Sequence, residues 1–421
     1  MQEDIQYIDT LIVGGGQAGV AMSEHLTLAD IPHVVLEKNR IAEAWRSVRW
    51  DSLVANGPAW HDRFPNMEFA GAHPDAFVKK EEVADYFEAY AKKLQSPIHT
   101  GVEVSKVVRN EAGSGFIVET SAGTWHAERV VSATGPFQVP VIPSIAPQDE
   151  AIYQIHSAHY RNPEQLPEGS VLVIGAGSSG VQIADELQRS GKTVYLSVGP
   201  HDRPPRMYRG RDFVWWLGVL GLWDATATEP GKEHVTIAVS GAHGGKTIDF
   251  RELAEQGLKL VGRTNSFSDG VVHFNDDLAK NILAGDDNYR SLLDMADEYI
   301  ARNQLDLPEE PEARHLLPAP ECMTKPITEL NLAKAGVTTI IWATGFDTDY
   351  SWLQVNALDE KGKPQHQRGV SSEPGVYFLG LPWLSRRGST FIWGVWHDAK
   401  FIAEQIGIQR KYQQYRNDAQ A

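Results

Sequence analysis

Two apolar runs along the chain are each followed by a glycine-rich turn and then by a stretch with helical spacing. The runs cover residues 11–13 and 171–174 and contain only leucine, isoleucine and valine. Such runs, without polar alternation, are typical of strands that are buried on both faces of a parallel sheet. The pattern therefore predicts two strand–turn–helix units, one near the start of the chain and one in its middle.

Each turn has the spacing GxGxxG. The glycines are Gly14, Gly16 and Gly19 in the first turn and Gly175, Gly177 and Gly180 in the second. In such a unit the first glycine permits the tight turn, the second lets the backbone approach a pyrophosphate, and the third allows the helix to pack on the strand. The N-terminal amides of the helix then bind the phosphates. The two motifs predict two dinucleotide-binding sites.

The strand that follows each helix distinguishes the two sites. In the first unit this strand ends in Glu37. The distance of Glu37 from the glycine motif is near the spacing of about 20 residues at which an acid binds the ribose hydroxyls of a dinucleotide. In the second unit it ends without an acid and is followed by Arg203, Arg206 and Arg209. Arginines can clamp a 2′-phosphate through paired, charge-assisted hydrogen bonds. We therefore expect NADPH at the second site, with NADH possible; the alternative is that these arginines are solvated loop charges.

Each unit also closes on a strand that runs into Ala-Thr-Gly, which makes Thr134 and Thr344 predicted cofactor contacts. The order of the motifs predicts an α/β fold of two dinucleotide-binding Rossmann-like domains, with the NAD(P)H domain inserted into a discontinuous FAD domain. The predicted division is 1–160 for the first part of the FAD domain, 161–325 for the NAD(P)H domain and 326–421 for the return segment of the FAD domain.

Composition limits the partners of the chain. Its 421 residues are 42% hydrophobic and 22% charged, as in a globular protein of two or three lobes. The formal net charge of −16 argues against nucleic acid and anionic membranes as partners. The single cysteine, Cys322, excludes a redox dithiol, and the histidines show no metal-ligand spacing. We see neither a signal peptide nor a long apolar span and expect a cytoplasmic protein.

Several segments resemble the flavin-containing monooxygenases, a family that includes plant YUCCA-type and Baeyer-Villiger enzymes. Besides both glycine motifs and both Ala-Thr-Gly segments, the resemblance rests on Trp45, Arg46 and a segment around His156. That segment is similar to the family fingerprint FxGxxxH, with Glu150 and Ile152 in place of its Phe and Gly, which suggests a divergent bacterial-type branch. The resemblance implies FAD and NADPH as cofactors and makes Trp45 and Arg46 cofactor contacts.

Two more segments resemble parts of the family that contact the flavin. In the family, an asparagine before a Phe-Pro pair contacts flavin and nicotinamide, and Asn56 is in a similar position here. Asn56 is therefore the predicted catalytic residue; the alternative is an asparagine turn before Gly-Pro. The segment 380–399 resembles the one whose helix begins at the flavin, where a positive helix end stabilises anionic reduced flavin. This makes His397 a predicted cofactor contact.

The resemblance implies an FAD-dependent, NAD(P)H-driven monooxygenase that inserts one oxygen atom of O2, by way of a C4a-peroxyflavin, into a small organic substrate. The 12 tryptophans favour an aromatic or N- or S-containing substrate, although most of them are expected in the cores. The alternatives are Baeyer-Villiger or YUCCA-type oxidation of a carbonyl acid, an NAD(P)H:acceptor flavin reductase, and a redox sensor without turnover. Proton transfer by His61, His156 or His397 is a weaker hypothesis for each. A homodimer is the expected assembly.

Overall fold

A computed structural model describes residues 5–226 and 236–418 of the chain. The strands in the first part of the chain are β1 Gln6–Val13, β2 His33–Glu37, β3 Ile98–Thr100, β4 Val104–Arg109, β5 Phe116–Thr120, β6 Gly123–Ser132, β7 Val139–Pro140 and β8 Tyr153–His156. The strands of the middle of the chain are β9 Ser170–Ile174, β10 Val194–Ser197, β11 Met207–Tyr208, β12 Arg211–Asp212, β13 Lys259–Val261, β14 Thr264–Ser268, β15 Val271–Phe274, β16 Glu329–Asn331, β17 Val337–Trp342 and β18 Phe346–Asp347. The last strands are β19 Leu353–Gln354, β20 His366–Gln367, β21 Val370–Ser371 and β22 Val376–Phe378.

The helices connect and cover these strands. They are α1 Gln17–Leu28, α2 Glu43–Ser47, α3 Lys80–Lys93, α4 Ser178–Arg189, α5 Phe213–Val219, α6 Phe250–Glu255, α7 Leu278–Asn303, α8 Glu321–Thr324 and α9 Ile392–Asp418. Short 3-10 turns cover Pro163–Gln165, Leu222–Asp224, Ala242–Gly244, Pro311–Arg314 and Arg387–Thr390.

The first sheet contains the first glycine motif. Its strand order is β19-β4-β5-β6-β1-β2-β3, and β22 also pairs with β6. The central strand β1 is parallel to both β2 and β6, and α1 packs against α9. The second half of β1 is therefore buried, which is why its sequence is a continuous apolar run.

The second sheet contains the second glycine motif. Its order is β13-β10-β9-β17-β8, and every pairing in it is parallel. Strand β9 lies in the middle and is buried along its whole length. The two sheets confirm the predicted pair of Rossmann-like domains in an α/β fold.

The chain crosses between the lobes twice. Strands β7 and β18 lie on the two crossings and pair with each other in antiparallel fashion. The inserted arrangement is therefore confirmed, because the first sheet takes strands from both ends of the chain. Strands β8 and β17 belong to the second sheet, although the predicted division assigns residues 153–156 and 337–342 to the FAD domain. We propose that the domain boundaries lie at the two crossing strands.

Over the two described stretches, no helix is long and apolar enough to cross a membrane. The same stretches contain no group of three or more His, Cys, Asp or Glu side chains that could hold a metal ion.

Candidate cofactor-binding and active site

The first glycine loop has the shape that a bound pyrophosphate requires. Gly14 has φ +110°, and a Cβ there would lie 2.6 Å from the carbonyl oxygen of Ala133. A Cβ on Gly19 would lie 1.9 Å from the carbonyl oxygen of Gly14, so α1 packs directly on the turn. A Cβ on Gly16, in contrast, would meet nothing within 4 Å. The loop is therefore closed at its first and third glycines and open at its second, as a phosphate site needs.

The second glycine loop repeats this packing. Gly175 has φ +105°, and its Cβ would lie 2.4 Å from the carbonyl oxygen of Ala343. A Cβ on Gly180 would lie 1.8 Å from the carbonyl oxygen of Gly175. The middle position is tighter here, because a Cβ on Gly177 would approach Thr236 to 3.2 Å. Each loop thus packs on the alanine of its own Ala-Thr-Gly segment, and both loops fit a dinucleotide.

The threonine of each Ala-Thr-Gly segment is hydrogen-bonded to the chain where it crosses between the lobes. Thr134 Oγ1 accepts a hydrogen bond of 2.9 Å from Gln138, and Thr344 Oγ1 donates to the carbonyl oxygen of Val141. Both threonines therefore lie beside the glycine loops and hold the connecting chain. Their contact with cofactor stays a prediction.

Glu37 lies against the first glycine loop. Its carboxylate accepts hydrogen bonds of 2.7 Å from the backbone amides of Gly15 and Asn39. These bonds hold the carboxylate at the end of β2, beside the open face of the loop. The position fits a ribose contact, which stays a prediction.

Trp45 and Arg46 differ in their surroundings. Trp45 Nε1 donates a hydrogen bond of 3.4 Å to Gln17, the first residue of α1, and so lies near the first loop. Arg46 is bound instead to Asp85 and Glu88 of α3, at 2.9 and 3.0 Å. These ion pairs give the cofactor role of Arg46 no support, and it stays a prediction.

The three arginines after β10 are bound to carboxylates of the second lobe. Arg203 forms a buried ion pair of 2.9 Å with Asp286, and Arg209 forms a partly exposed ion pair of 2.9 Å with Asp297. Arg206 forms a pair of 2.6 Å with Asp212. They are not solvated loop charges, since all three charges are matched inside the protein. This arrangement gives no support to the predicted 2′-phosphate clamp.

Arg206 connects the two lobes. Its Nε and Nη2 donate to the carboxylate of Asp212 at 2.9 and 2.7 Å, and its Nη1 donates to the carbonyl oxygen of Asn56 at 2.6 Å. Its guanidinium lies between the rings of Phe77 and Phe213, 4.5 and 4.6 Å from their centres. The sequence predicted a ligand contact here because Asp212 and the two rings become neighbours only in the folded chain.

Asn56 lies where the two lobes meet. Its Oδ1 accepts a hydrogen bond of 3.0 Å from Gln182, a residue of α4, which begins at the second glycine loop. Gln182 Nε2 also donates to the carbonyl oxygen of Val239 at 2.8 Å. Asn56 thus links the first lobe to the helix of the second site. Gln182 was missed by the sequence interpretation, because its neighbours on the helix surface, Ser179, Asp185 and Glu186, are also polar and give no signal that it is buried.

The three candidate histidines lie in different environments. His156 Nε2 donates to the carbonyl oxygen of Gly345 at 2.9 Å, and burial lowers its pKa. Burial also lowers the pKa of His397, which lies near the start of α9 with its ring against Trp393. His61 is buried beside Asp62, 2.7 Å from it, among tryptophan rings. His156 is therefore a structural link at the crossing, whereas the other two lie in the aromatic region beside α9.

Residues 11–206 match the family described as pyridine nucleotide-disulphide oxidoreductase. The chain is 37% identical to the oxidoreductase CzcO-like of Geobacillus kaustophilus, over 95% of this chain and 98% of that protein. It is 27% identical to the probable indole-3-pyruvate monooxygenase YUCCA1 of Arabidopsis thaliana, over 45% of this chain and 46% of that protein. The solved flavin-containing monooxygenase of Stenotrophomonas maltophilia superposes with a TM-score of 0.67 at 20% identity, over 96% and 99% of the two chains. The last likeness shows a shared fold.

Proposed function

We propose that this chain, which belongs to the CzcO-like oxidoreductases within the flavin monooxygenase family, uses NADPH and FAD to transfer one oxygen atom of O2 to a small organic substrate. The observation that carries the proposal is the matched pair of glycine loops, with Asn56 of the first lobe bound to the second. Each loop packs on its own Ala-Thr-Gly segment, and the Asn56 side chain is hydrogen-bonded to the helix of the second loop. Two nucleotides bound in these loops would therefore extend toward one region.

Each loop has a distinct task in this proposal. The first loop and Glu37 hold FAD, and the second loop and α4 hold the pyrophosphate of NADPH. When bound, FAD supplies the means to accept a hydride from NADPH and to pass electrons to O2. The protein contributes binding, orientation and the exclusion of water.

Asn56 is the residue that we place at the reacting centre. Its backbone carbonyl is held by Arg206 and its side-chain oxygen by Gln182, so the amide is fixed from the second lobe. The remaining amide nitrogen is the group that would donate a hydrogen bond to the flavin or the nicotinamide. The Asn56 amide therefore orients the cofactors, and the nearby tryptophans keep water from them.

The rings around this region favour an aromatic substrate. Trp60, Trp223 and Trp393 all lie within ring-contact distance of His61, and Trp60 and Trp393 are only partly buried, whereas Trp216 is fully buried in another cluster of the second lobe. Flat aromatic walls bind flat molecules, so we place oxygenation of an aromatic or heteroaromatic compound first.

One observation favours a carbonyl acid as the second candidate. Over residues 5–226 and 236–418, no carboxylate forms an ion pair with Arg49, and burial lowers the pKa of this arginine to about 10. Its guanidinium lies 4.8 Å from the ring of Phe137, just after the first Ala-Thr-Gly segment. A cation without a carboxylate partner can bind the carboxylate of a substrate. The YUCCA1 relative, whose name gives indole-3-pyruvate as its substrate, has this chemistry.

Isotope transfer from O2 tests the proposal. The FAD-loaded protein is supplied with NADPH and ¹⁸O2, together with indole, thioanisole, cyclohexanone or indole-3-pyruvate. We expect one probe to increase NADPH oxidation, to decrease hydrogen peroxide release per NADPH, and to yield a product with one ¹⁸O atom. Electron transfer to a quinone without ¹⁸O in any product would instead identify a reductase. NADPH oxidation near zero under every condition would indicate a sensor.

A further inference from the structure

A buried histidine lies among aromatic rings from three separate segments. We call His61, Trp60, Trp223 and Trp393 the aromatic cluster. The ring of His61 is nearly parallel to those of Trp223 and Trp393, at centre distances of 5.3 and 5.9 Å, and Trp60 meets it edge-on at 5.4 Å. Trp60 follows Asn56 in the first lobe, Trp223 comes from the middle of the chain, and Trp393 lies in the first turn of α9. The cluster therefore forms where these segments meet.

Asp62 fixes the protonation pattern of this histidine. Its Oδ1 lies 2.7 Å from His61 Nδ1, while Oδ2 accepts a hydrogen bond of 2.9 Å from the backbone amide of Gly57. A carboxylate accepts hydrogen bonds, so Nδ1 carries the hydrogen and Nε2 of the neutral ring has a free lone pair. The geometry makes His61 Nε2 a hydrogen-bond acceptor.

This acceptor has no partner. His61 is only 7% exposed, and its Nε2 is buried without a hydrogen bond to any residue in 5–226 or 236–418. An unpartnered buried polar atom is costly, and native proteins rarely retain one without a use for it. The neighbouring tryptophan rings present faces and edges, which do not replace an N–H or O–H donor. A bound molecule with an N–H or O–H group can supply that donor.

Another histidine shows what a purely structural arrangement looks like. His201 Nε2 is also buried and unpartnered within the described residues. A Cβ on Gly285 of α7 would lie 2.6 Å from that nitrogen, so the helix backbone closes directly over it. His61 has no such glycine against its nitrogen, and it lies five residues from Asn56. The two histidines therefore differ in what lies against the free nitrogen: the backbone of α7 covers that of His201, and no glycine of the described residues is packed in this way on that of His61.

We propose that His61 Nε2 accepts a hydrogen bond from a ring N–H or a phenolic O–H of a flat aromatic substrate that packs against the aromatic cluster. This inference rests on the proposed function, because it assigns the substrate class of the same site. It makes His61 a specificity-determining residue: the tryptophans select a flat molecule, and His61 selects one that carries a hydrogen-bond donor. Asp62 acts as the positioning residue, since it keeps the hydrogen on Nδ1.

Pairs of probes that differ only in the donor test this assignment. Indole is compared with 1-methylindole, and 4-methylphenol with 4-methylanisole, in equilibrium dialysis against the FAD-loaded protein without NADPH. The variants are His61→Phe, which retains a flat ring, and His61→Asn, which retains a donor toward Asp62. His366→Phe is the matched control, because His366 also packs on an aromatic ring, that of Phe378, in the sheet of the first lobe. FAD content and far-ultraviolet circular dichroism verify the fold of each variant.

We expect the wild-type protein and the control to bind each donor probe about tenfold more tightly than its methylated partner. In both His61 variants this ratio should fall to about one. A wild-type ratio near one, an unchanged ratio in a folded His61 variant, or no binding of any probe would each overturn the inference. Dialysis requires no turnover, so loss of oxygen transfer with an intact ratio would count against the proposed function alone.

Discussion

Replacing Arg206 by alanine distinguishes a residue that joins the lobes from one that binds a nucleotide. The side chain is 1% exposed, and its partner Asp212 is 11% exposed. The guanidinium binds this carboxylate and the carbonyl oxygen of Asn56, and it lies between two aromatic rings. A side chain with this many partners inside the protein is expected to stabilise the folded state.

The size of the effect follows from what the substitution leaves behind. Arg206→Ala removes one member of a buried ion pair and leaves the Asp212 carboxylate without its counter-charge, a change that typically costs about 3–5 kcal/mol. Removing both members in Arg206→Ala/Asp212→Ala should cost less than Arg206→Ala alone, because no buried charge is left unpaired. Arg314→Ala is the control: Arg314 also binds two carboxylates but is 41% exposed, so we expect a cost below about 1 kcal/mol.

The pH dependence gives the experiment a second readout. Burial raises the pKa of Asp212, and Arg206 opposes that rise. In Arg206→Ala the pKa should rise further, so the folded variant binds a proton at pH values where the unfolded chain has lost it. The free energy of unfolding of the variant then falls as the pH rises through that range. Urea denaturation should therefore show a larger loss at pH 8 than at pH 5.

Cofactor kinetics decide between the two roles. If Arg206 joins the lobes, kcat/KM should fall by the same factor for NADPH and for NADH, to within about twofold. A 2′-phosphate clamp would instead lower kcat/KM for NADPH by about tenfold or more and leave NADH unaffected. A selective loss with NADPH, together with an unchanged free energy of unfolding, would refute the structural argument.

Three further changes test other parts of the structure. Gly19→Ala should abolish FAD retention, measured as flavin absorbance per protein, whereas Gly407→Ala, at a helix position with open space, should retain it. Asn56→Ala should raise hydrogen peroxide release per NADPH several-fold, measured by a peroxidase assay, and unchanged release would remove Asn56 from the reacting centre. Burial lowers the pKa of His25 from 6.5 to about 4, so the unfolded chain binds more protons across that window and stability falls with falling pH. His25→Gln should therefore lose less Tm between pH 7 and pH 5 than the wild-type protein, and an equal loss would contradict this assignment.

The sequence alone predicted those parts of the structure that depend on local backbone geometry. Gly14 and Gly175 adopt positive φ, a requirement that acts at the residue itself and leaves a readable spacing. The inserted domain followed from motif order alone. Arg206 was interpreted as a ligand contact because its carboxylate and its two stacking rings are brought together only by folding. His61 was noticed, but the tryptophans around it come from distant parts of the chain, so no pattern in the sequence showed that its Nε2 is buried and unpartnered.

The side-by-side crossing strands β7 and β18 also constrain the order of events during synthesis. The second sheet is complete once β17 has left the ribosome, whereas the first sheet still waits for β19 and β22. Domains fold as units while the chain emerges from the ribosome, so the second lobe can form before the first lobe, into which it is inserted. The first lobe then folds around the two ends of the inserted second lobe. These two ends already lie next to each other, so the entropic cost of bringing them together is small. A nascent chain arrested after residue 347 has emerged from the ribosome should therefore contain a folded second lobe attached to an unfinished first one.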